Sequence, residues 1–159
     1  MENRCPSCGA ALPHGVPAWA RRLTVANAMT RDPVTLGPED TLLAGVELMR
    51  KHGVRRIPIV LGETLVGLLV EGDLKRAQPS ALVDSQEEYQ RVMEDTQIAR
   101  VMIRQLVTVA VDTPLVEAAR ALHDTKYGAL PVLKDGRLAG ILTDTDLTRV
   151  LVELLEQGG

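Results

Sequence analysis

Two cysteines stand close together near the start of the chain, in Cys5-Pro6-Ser7-Cys8-Gly9. Two thiolates on a tight turn, with a glycine permitting the chain reversal, form the first half of a zinc ribbon. Tetrahedral zinc takes four ligands, and no second knuckle follows. His14 could be a third ligand, and a second copy of the chain could bring two more thiolates. A redox Cys-x-x-Cys pair belongs at a strand-to-helix junction, whereas Pro13, Gly15 and Pro17 follow here. A disulfide within the pair would be strained and would staple nothing. Cys5 and Cys8 therefore read either as an irregular tail without metal or as half of a zinc site shared across a dimer.

Few other residues offer chemistry by type and spacing. The sequence shows no Ser-His-Asp arrangement, no Gly-rich phosphate loop, and no His and acid cluster at metal spacing beyond the N-terminus. Asp144 and Asp146 stand two apart at an expected helix start, as capping acids rather than a paired acid and base. Thr143 with Asp146, and likewise Asp73, suit a helix N-terminus, where a side-chain oxygen accepts from a free backbone amide. His52 and His123 fall near helix C-termini, where a cation is favoured. An enzyme is not expected.

The elements that position these residues must come from 159 residues, of which 45% are hydrophobic and 25% charged. That is the make-up of an ordinary globular protein with a core large enough to fold unaided. No apolar run is long enough to span a membrane, and the start is no signal peptide, so a cytoplasmic protein is expected. The net charge is -3, which disfavours nucleic acid as a partner, since duplex binding needs a dense basic face. Aromatics are 2%, namely Trp19, Tyr89 and Tyr127, too few for base-stacking single-strand binding. The core must be built from Leu, Val, Ile, Ala and Met.

The chain is a duplication. With a shift of 73 positions, Val34-Thr35 falls on Val107-Thr108, Leu42 on Leu115, Pro58 on Pro131, Leu65 on Leu138 and Gly67 on Gly140. Asp73-Leu74 falls on Asp146-Leu147, and Arg76 on Arg149. Each copy reads as β-α-β-β-α. A helical turn, Val25 to Met29 or Ile98 to Met102, leads into an extended piece, Pro33 to Leu36 or Leu106 to Val109. A helix follows with Leu42, Leu43, Val46 and Met49, or Leu115, Val116, Ala119 and Leu122, at helical spacing. Glu39-Asp40 and Asp112-Thr113-Pro114 offer its N-terminal cap, and Gly53 stops the first of the two helices. Two strands then form a hairpin over Gly62-Glu63 or Asp135-Gly136, with Pro58 and Pro131 at an edge or strand start. A second helix closes each copy, from Asp73 to Arg76 or from Asp146 to Leu155. Residues 78–97 form an acidic connector, read as a solvated excursion or a partner surface. Either copy alone would be marginal, so the two should pack together.

The residues that carry a family resemblance are now in view. The repeat unit resembles the CBS domain, and the chain resembles a tandem CBS pair, a Bateman module. The first copy carries Ala28-Met29-Thr30, Pro33-Val34-Thr35, Gly53-Val54-Arg55-Arg56-Ile57-Pro58-Ile59-Val60 and Gly67-Leu68-Leu69-Val70-Glu71-Gly72-Asp73-Leu74. The second carries Val101-Met102, Val107-Thr108, Tyr127-Gly128-Ala129-Leu130-Pro131-Val132-Leu133 and Gly140-Ile141-Leu142-Thr143-Asp144-Thr145-Asp146-Leu147. Asp73-Leu74-Lys75-Arg76-Ala77-Gln78-Pro79-Ser80 before an acidic insert is similar to small stand-alone CBS proteins of the acetoin-utilisation type.

The resemblance implies an α/β (α+β) module of two pseudo-symmetric repeats, 23–77 and 98–155, behind a tail at 1–22. It implies adenine nucleotide binding in two clefts between the repeats, through a motif Gly-apolar-x-Thr/Ser-x-x-Asp. The second copy fits with Gly140, Ile141, Thr143 and Asp146, and Thr30, Val34, Val54 and Arg55 of the first complete that cleft. A Thr hydroxyl and free amides suit phosphate, and an Asp one turn on can accept from a ribose diol. The first copy departs. Val70 replaces the hydroxyl, although Leu68 and Asp73 are in place, and Ile103, Val107, Tyr127 and Gly128 would complete the cleft. That weaker cleft reads as degraded, or tuned to a less phosphorylated ligand. Arg55 and Arg56 face phosphates or are simply solvated, and Lys126 could reach a phosphate.

The expected function is a sensory module for AMP, ADP, ATP or S-adenosylmethionine, with no required cofactor, acting on an unknown protein partner. A homodimer is expected from the all-round apolar last helix, with Leu147, Val150, Leu151 and Leu154 in one stripe and Val152 and Leu155 off it. The alternatives are a structural adaptor with empty clefts and a zinc-linked nucleic-acid adaptor using Cys5 and Cys8.

Overall fold

The computed structural model describes residues 7–10, 18–80 and 85–157. The first copy contains α1 (Val25–Ala28), β1 (Thr30–Arg31), α2 (Leu42–His52), β2 (Arg56–Leu61), β3 (Thr64–Val70) and α3 (Glu71–Ala77). The connector adds α4 (Gln86–Asp95). The second copy contributes β4 (Val109–Ala110), α5 (Leu115–Asp124), β5 (Ala129–Lys134), β6 (Arg137–Thr143) and α6 (Asp144–Gln157), after a single 3-10 turn at Ile98–Arg100. This is the mixed α/β architecture expected of the duplication.

The local signals explain most of these boundaries. Helix α2 ends on Gly53, which holds φ +64 and so reaches the left-handed conformation at little cost. Its start corrects the expectation of Glu39-Asp40: the cap is Thr41, whose Oγ1 accepts from Ala44 N–H at 3.2 Å. Asp40 is spent on the preceding turn, where its Oδ2 accepts from Gly37 N–H at 2.6 Å. In the second copy Thr113 Oγ1 likewise serves the turn, accepting from Ala110 N–H at 3.1 Å. The connector is not wholly solvated. Ser85 caps α4, and Met93 on that helix is buried in the core of the first copy with Tyr89 packed beside it.

The sheets bring out the pseudo-twofold relation. One sheet has the strand order β1-β6-β5-β4, and the other is the β2-β3 hairpin. Strand β1 crosses over to pair antiparallel with β6, Thr30 opposite Ile141. The 73-residue shift maps this onto the bridge between Ile103 and Leu68, which is present. It also maps the parallel pair Val109 and Val132 onto Leu36 and Ile59, and the bridge of Thr24 with Pro114 onto Thr41 with Gln97. Both hairpins slip register at equivalent places, Ile59/Val60 and Val132/Leu133. Pro131 corrects the edge-strand expectation, because β5 lies inside its sheet. Its missing N–H is harmless there: the parallel ladder with β4 begins one residue later, at Val132.

The copies exchange their leading turns. Val25, Ala28 and Met29 of the first copy are buried with Leu115, Ala118, Leu122, Leu130, Val132 and Leu142 of the second. Ile98 and Met102 are buried with Leu42, Met49, Ile57, Ile59, Leu69 and Leu74 of the first. Each fully buried Leu or Ile contributes roughly 1.5–3 kcal/mol, so neither core is complete without the other copy. A smaller cluster of Leu68, Ala129 and Ile141 joins the two hairpins. Among the described residues no helix is long and apolar enough to cross a membrane.

Candidate functional site

The exchange of β1 places Thr30 of the first copy beside the start of α6 in the second. Strand β6 ends at Thr143 and α6 begins at once, so Asp146 lies one turn into the helix. Its Oδ2 accepts from Thr143 N–H at 2.9 Å and from Thr143 Oγ1 at 3.0 Å. Its Oδ1 accepts from Thr30 Oγ1 at 3.0 Å and from Arg149 Nη2 at 3.2 Å. Arg149 Nη2 also donates to Ala28 O at 2.7 Å, tying the turn of α1 to α6. Asp146 is 5% exposed and is the one buried acid among the described residues. Every lone-pair direction it offers is engaged, as a buried carboxylate requires.

Around this carboxylate lies a cavity of about 640 Å³. Thr30, Val34, Val54, Arg55, Ile141, Thr143 and Asp146 all line it, so the seven residues expected at the main cleft are gathered in one place. Arg56, His52 and Asp32 add polar groups to the same wall. The volume falls in the range of small-ligand pockets, about 300–1,000 Å³.

The equivalent cleft of the first copy is a cavity of about 500 Å³. Asp73, Tyr127 and Ile103 line it, with Val70, Glu71, Arg55, Arg56, Arg76 and Lys126. The other residues expected there do not. Leu68 is fully buried between the hairpins. Val107 is exposed beside the cavity, its N–H donating to the Tyr127 hydroxyl at 3.2 Å. Gly128 is backed against Arg56 and Asp144. Asp73 pairs with Arg76, as Asp146 does with Arg149, but Val70 and Ile103 offer it no hydroxyl.

Arginine 56 was expected only as one of a solvated or phosphate-facing pair. It is instead a bracket between the copies, half-buried, with Nε donating to Tyr127 O at 2.7 Å and Nη2 lying 3.8 Å from Asp144 Oδ2. Sequence gave no sign of this, since the shift places Ala129 at the matching position. Arg149 is different: its fall on Arg76 under the shift, three residues after an Asp in each copy, was a usable signal for the two Asp-Arg pairs. Glu71, at the start of α3, is held below its ordinary pKa chiefly by a hydrogen bond from Lys75, against some desolvation, with the charges of Lys75, Arg55 and Arg56 adding to the effect. Lys75 Nζ lies 3.0 Å from Glu71 Oε1 and Arg55 Nε 3.9 Å from Oε2. His52 and His123 are exposed, and His123 Nδ1 lies 3.1 Å from Asp124 Oδ1.

Cys5 and His14 lie outside the described residues, and Cys8 is an exposed free cysteine. Among the described residues no group of three or more His, Cys, Asp and Glu side chains could hold a metal ion.

Comparison with known proteins agrees with this architecture. A family model of the CBS domain matches residues 25–80 and 98–153. A CBS domain-containing protein of Dictyostelium discoideum is 30% identical over 138 residues, covering 85% of this chain and 95% of its own length. A crystal structure from Vibrio cholerae carrying an acetoin utilization (AcuB) assignment is 32% identical with a TM-score of 0.73, over 86% of this chain and 97% of that one. The AMP complex of CBSX2, a protein of Arabidopsis thaliana, is 29% identical with a TM-score of 0.70, over 82% of this chain and 97% of that one.

Proposed function

Since the chain belongs to the CBS domain family, we propose that it is a cytoplasmic regulatory module that binds an adenosine-containing ligand around Asp146 and passes occupancy to a protein partner. The observation that carries this reading is the cavity of about 640 Å³ walled by both copies, with a buried carboxylate and the Thr143 hydroxyl at a helix start. The similar CBSX2 is a protein whose complex with AMP has been solved. In this chain the Asp146 carboxylate suits a ribose diol, and the Thr143 hydroxyl and neighbouring amides suit a phosphate. AMP, ADP, ATP and S-adenosylmethionine are the candidates, and of the residues expected at the weaker second site Asp73 and Tyr127 line its cavity.

Transmission follows from the groups that hold Asp146. A ribose diol takes the place of the Thr30 hydroxyl and the Arg149 guanidinium on Oδ1. Binding therefore loosens β1 and α1 of the first copy from α6 of the second. A ligand that favours the loosened arrangement shifts the equilibrium by its difference in affinity for the two arrangements. The partner reads that shift, and no chemical step is involved.

The same saturation of Asp146 favours one second reading, an adaptor whose clefts stay empty. A thermal-shift screen with adenosine, AMP, ADP, ATP and S-adenosylmethionine separates the two. A ligand at a hundredfold excess over its Kd adds ~2.7 kcal/mol, which raises Tm by several degrees. No response to any of these compounds leaves the adaptor reading.

We also propose a twofold homodimer. Leu151, Val152 and Leu155 of α6 are 54%, 46% and 61% exposed, and Val116 of α5 is 58% exposed. Leu147 and Val150, from the stripe expected at the interface, pack instead against the core of the second copy. Exposed apolar side chains of this kind are what a second copy would cover. Light scattering at micromolar concentration should give twice the 17.3 kDa chain mass, and a monomer would remove the dimer.

A further inference from the structure

We infer that the cavity of the first copy takes a ligand carrying two or more linked phosphates, and selects it by charge rather than by hydroxyl groups. The inference rests on the proposed ligand-binding role of the clefts for any nucleoside part, but not for the phosphates. Four cations line this cavity, Arg55, Arg56, Arg76 and Lys126, against two carboxylates, Glu71 and Asp73. The cavity around Asp146 has Arg55 and Arg56 against Asp32 and Asp146, which balances.

The excess positive charge is available to a ligand. Lys126 is exposed and has no ion pair among the described residues. Arg55 is largely exposed, and its nearest acid is 3.9 Å away. Arg76 is shared with Asp73, and Arg56 keeps its Nε on the Tyr127 carbonyl with Asp144 Oδ2 3.8 Å from its Nη2, so Lys126 is the cation that no acid offsets among the described residues. The cations come from three separate segments, so they surround a volume of about 500 Å³ rather than lying along one face. Walls of low dielectric concentrate such a field inside a cleft.

The same cavity has lost the features that suit a small number of phosphates. Val70 stands where Thr143 offers a hydroxyl, and Ile103 where Thr30 does. Asp73 stays tied to Arg76. A chain of phosphates, with its many acceptor oxygens, is the chemistry that four guanidinium and ammonium groups match. The inference runs opposite to the sequence expectation of a less phosphorylated ligand. The phosphates could belong to a nucleoside di- or triphosphate or to an inorganic chain.

Calorimetry on the full chain, with AMP, ATP and inorganic tripolyphosphate at low ionic strength, tests this. The variants are Lys126→Gln and Arg76→Gln, which touch this cavity alone, and Lys134→Gln, an exposed hairpin cation outside both cavities. ATP is expected to bind more tightly than AMP, and Lys126→Gln to weaken ATP by about tenfold, with Lys134→Gln without effect. Tripolyphosphate losing affinity in the same variants assigns the site to phosphates alone; ATP responding while tripolyphosphate does not bind assigns it to a nucleotide, and both support the inference. AMP matching ATP, with indifference to Lys126→Gln, overturns it while leaving the adenosine site at Asp146 standing. Tripolyphosphate binding with no adenosine compound binding would instead retain this inference and remove the proposed function.

Discussion

Asp146 and Asp73 occupy the same place in the two copies, and their surroundings differ by two side chains. Asp146 sits among Thr30, Thr143 and Arg149 and is 5% exposed. Asp73 has Arg76 beside it, with Ile103 and Val70 where the two threonines would be. The backbone does not register the change. The bridge of Ile103 with Leu68 repeats the pairing of Thr30 with Ile141, and the hairpins share even their bulge. The main chain of the duplication is held by apolar packing and strand pairing, so the polar content of each cleft is free to diverge. One cleft has become a closed network and the other an open cationic basin.

The largest effect that separates the two should come from removing the acids. Asp146→Ala strands Thr30, Thr143 and Arg149 in a buried setting and should cost ~3 kcal/mol of unfolding free energy. Asp73→Ala breaks a partly exposed pair and should cost no more than ~1 kcal/mol. Urea denaturation of the two variants measures both, and equal losses would show that the clefts are the same.

The crossing points of the hairpins should differ next. A Cβ on Gly140 would sit 2.7 Å from Thr30 O, which is backbone, and 2.8 Å from Met29 Sδ. A Cβ on Gly67 would meet chiefly Met102, with Sδ at 2.5 Å and Ile103 O at 3.1 Å. A methionine tip can move aside, and a paired strand cannot. Gly140→Ala should therefore destabilise by ~2–3 kcal/mol and Gly67→Ala by nearer ~1 kcal/mol, read as Tm by calorimetry.

Restoring the lost hydroxyl should narrow the difference. Val70 is the N-cap of α3 with extended backbone and no side-chain bond, a conformation that threonine accepts. Val70→Thr should stabilise by ~1 kcal/mol through capping, and together with Ile103→Thr should raise the affinity of the first cleft for AMP. Chemical denaturation and calorimetry on the double variant check both halves.

The smallest effect is in pH dependence. Glu71 is held below its ordinary pKa of 4.5 in the folded chain. The unfolded chain then binds more protons between the two values, so stability rises with pH through that window. The contribution is fully present above the ordinary value and is lost as pH falls through the folded one. Glu71→Gln should thus fall below the parent in stability at pH 6 and converge with it as pH drops below 4.5, in denaturation midpoints taken across that range.

The parts legible in sequence were those set by neighbours in the chain. Helices, hairpin turns and the Gly53 stop follow from local spacing and conformation. Of the seven expected residues lining the Asp146 cleft, Ile141, Thr143 and Asp146 were legible from the intact motif, and Thr30, Val34, Val54 and Arg55 only through the family resemblance. The exchange of leading turns was not. Val25, Ala28 and Met29 carry an apolar face, but both copies have nearly the same pattern, and nothing in it says which core receives that face. The first cleft was legible only in part: its motif keeps Asp73 but has Val70 for the hydroxyl, and Leu68, Val107 and Gly128 do not line the cavity. Thr41, one residue past two acids, shows why caps are read less surely than helices: three neighbouring oxygens compete, and the turn before the helix claims Asp40.

The crossing of β1 into the far sheet bears on how the chain is made. Thr30 and Asp146 are 116 residues apart in sequence, and the partner strand of β1 is the last strand of the fold. A chain growing from its N-terminus exposes Val25, Ala28 and Met29 long before the residues that bury them exist. The first copy can gather its hairpin and α2 early, but its own leading turn must wait for the second. Burial of that turn therefore comes only once β6 has been made, and pairing over so long a separation is intrinsically slow. A chain truncated before β6 would carry an unpaired strand edge and an uncovered apolar turn, the kind of surface that chaperones and proteases recognise.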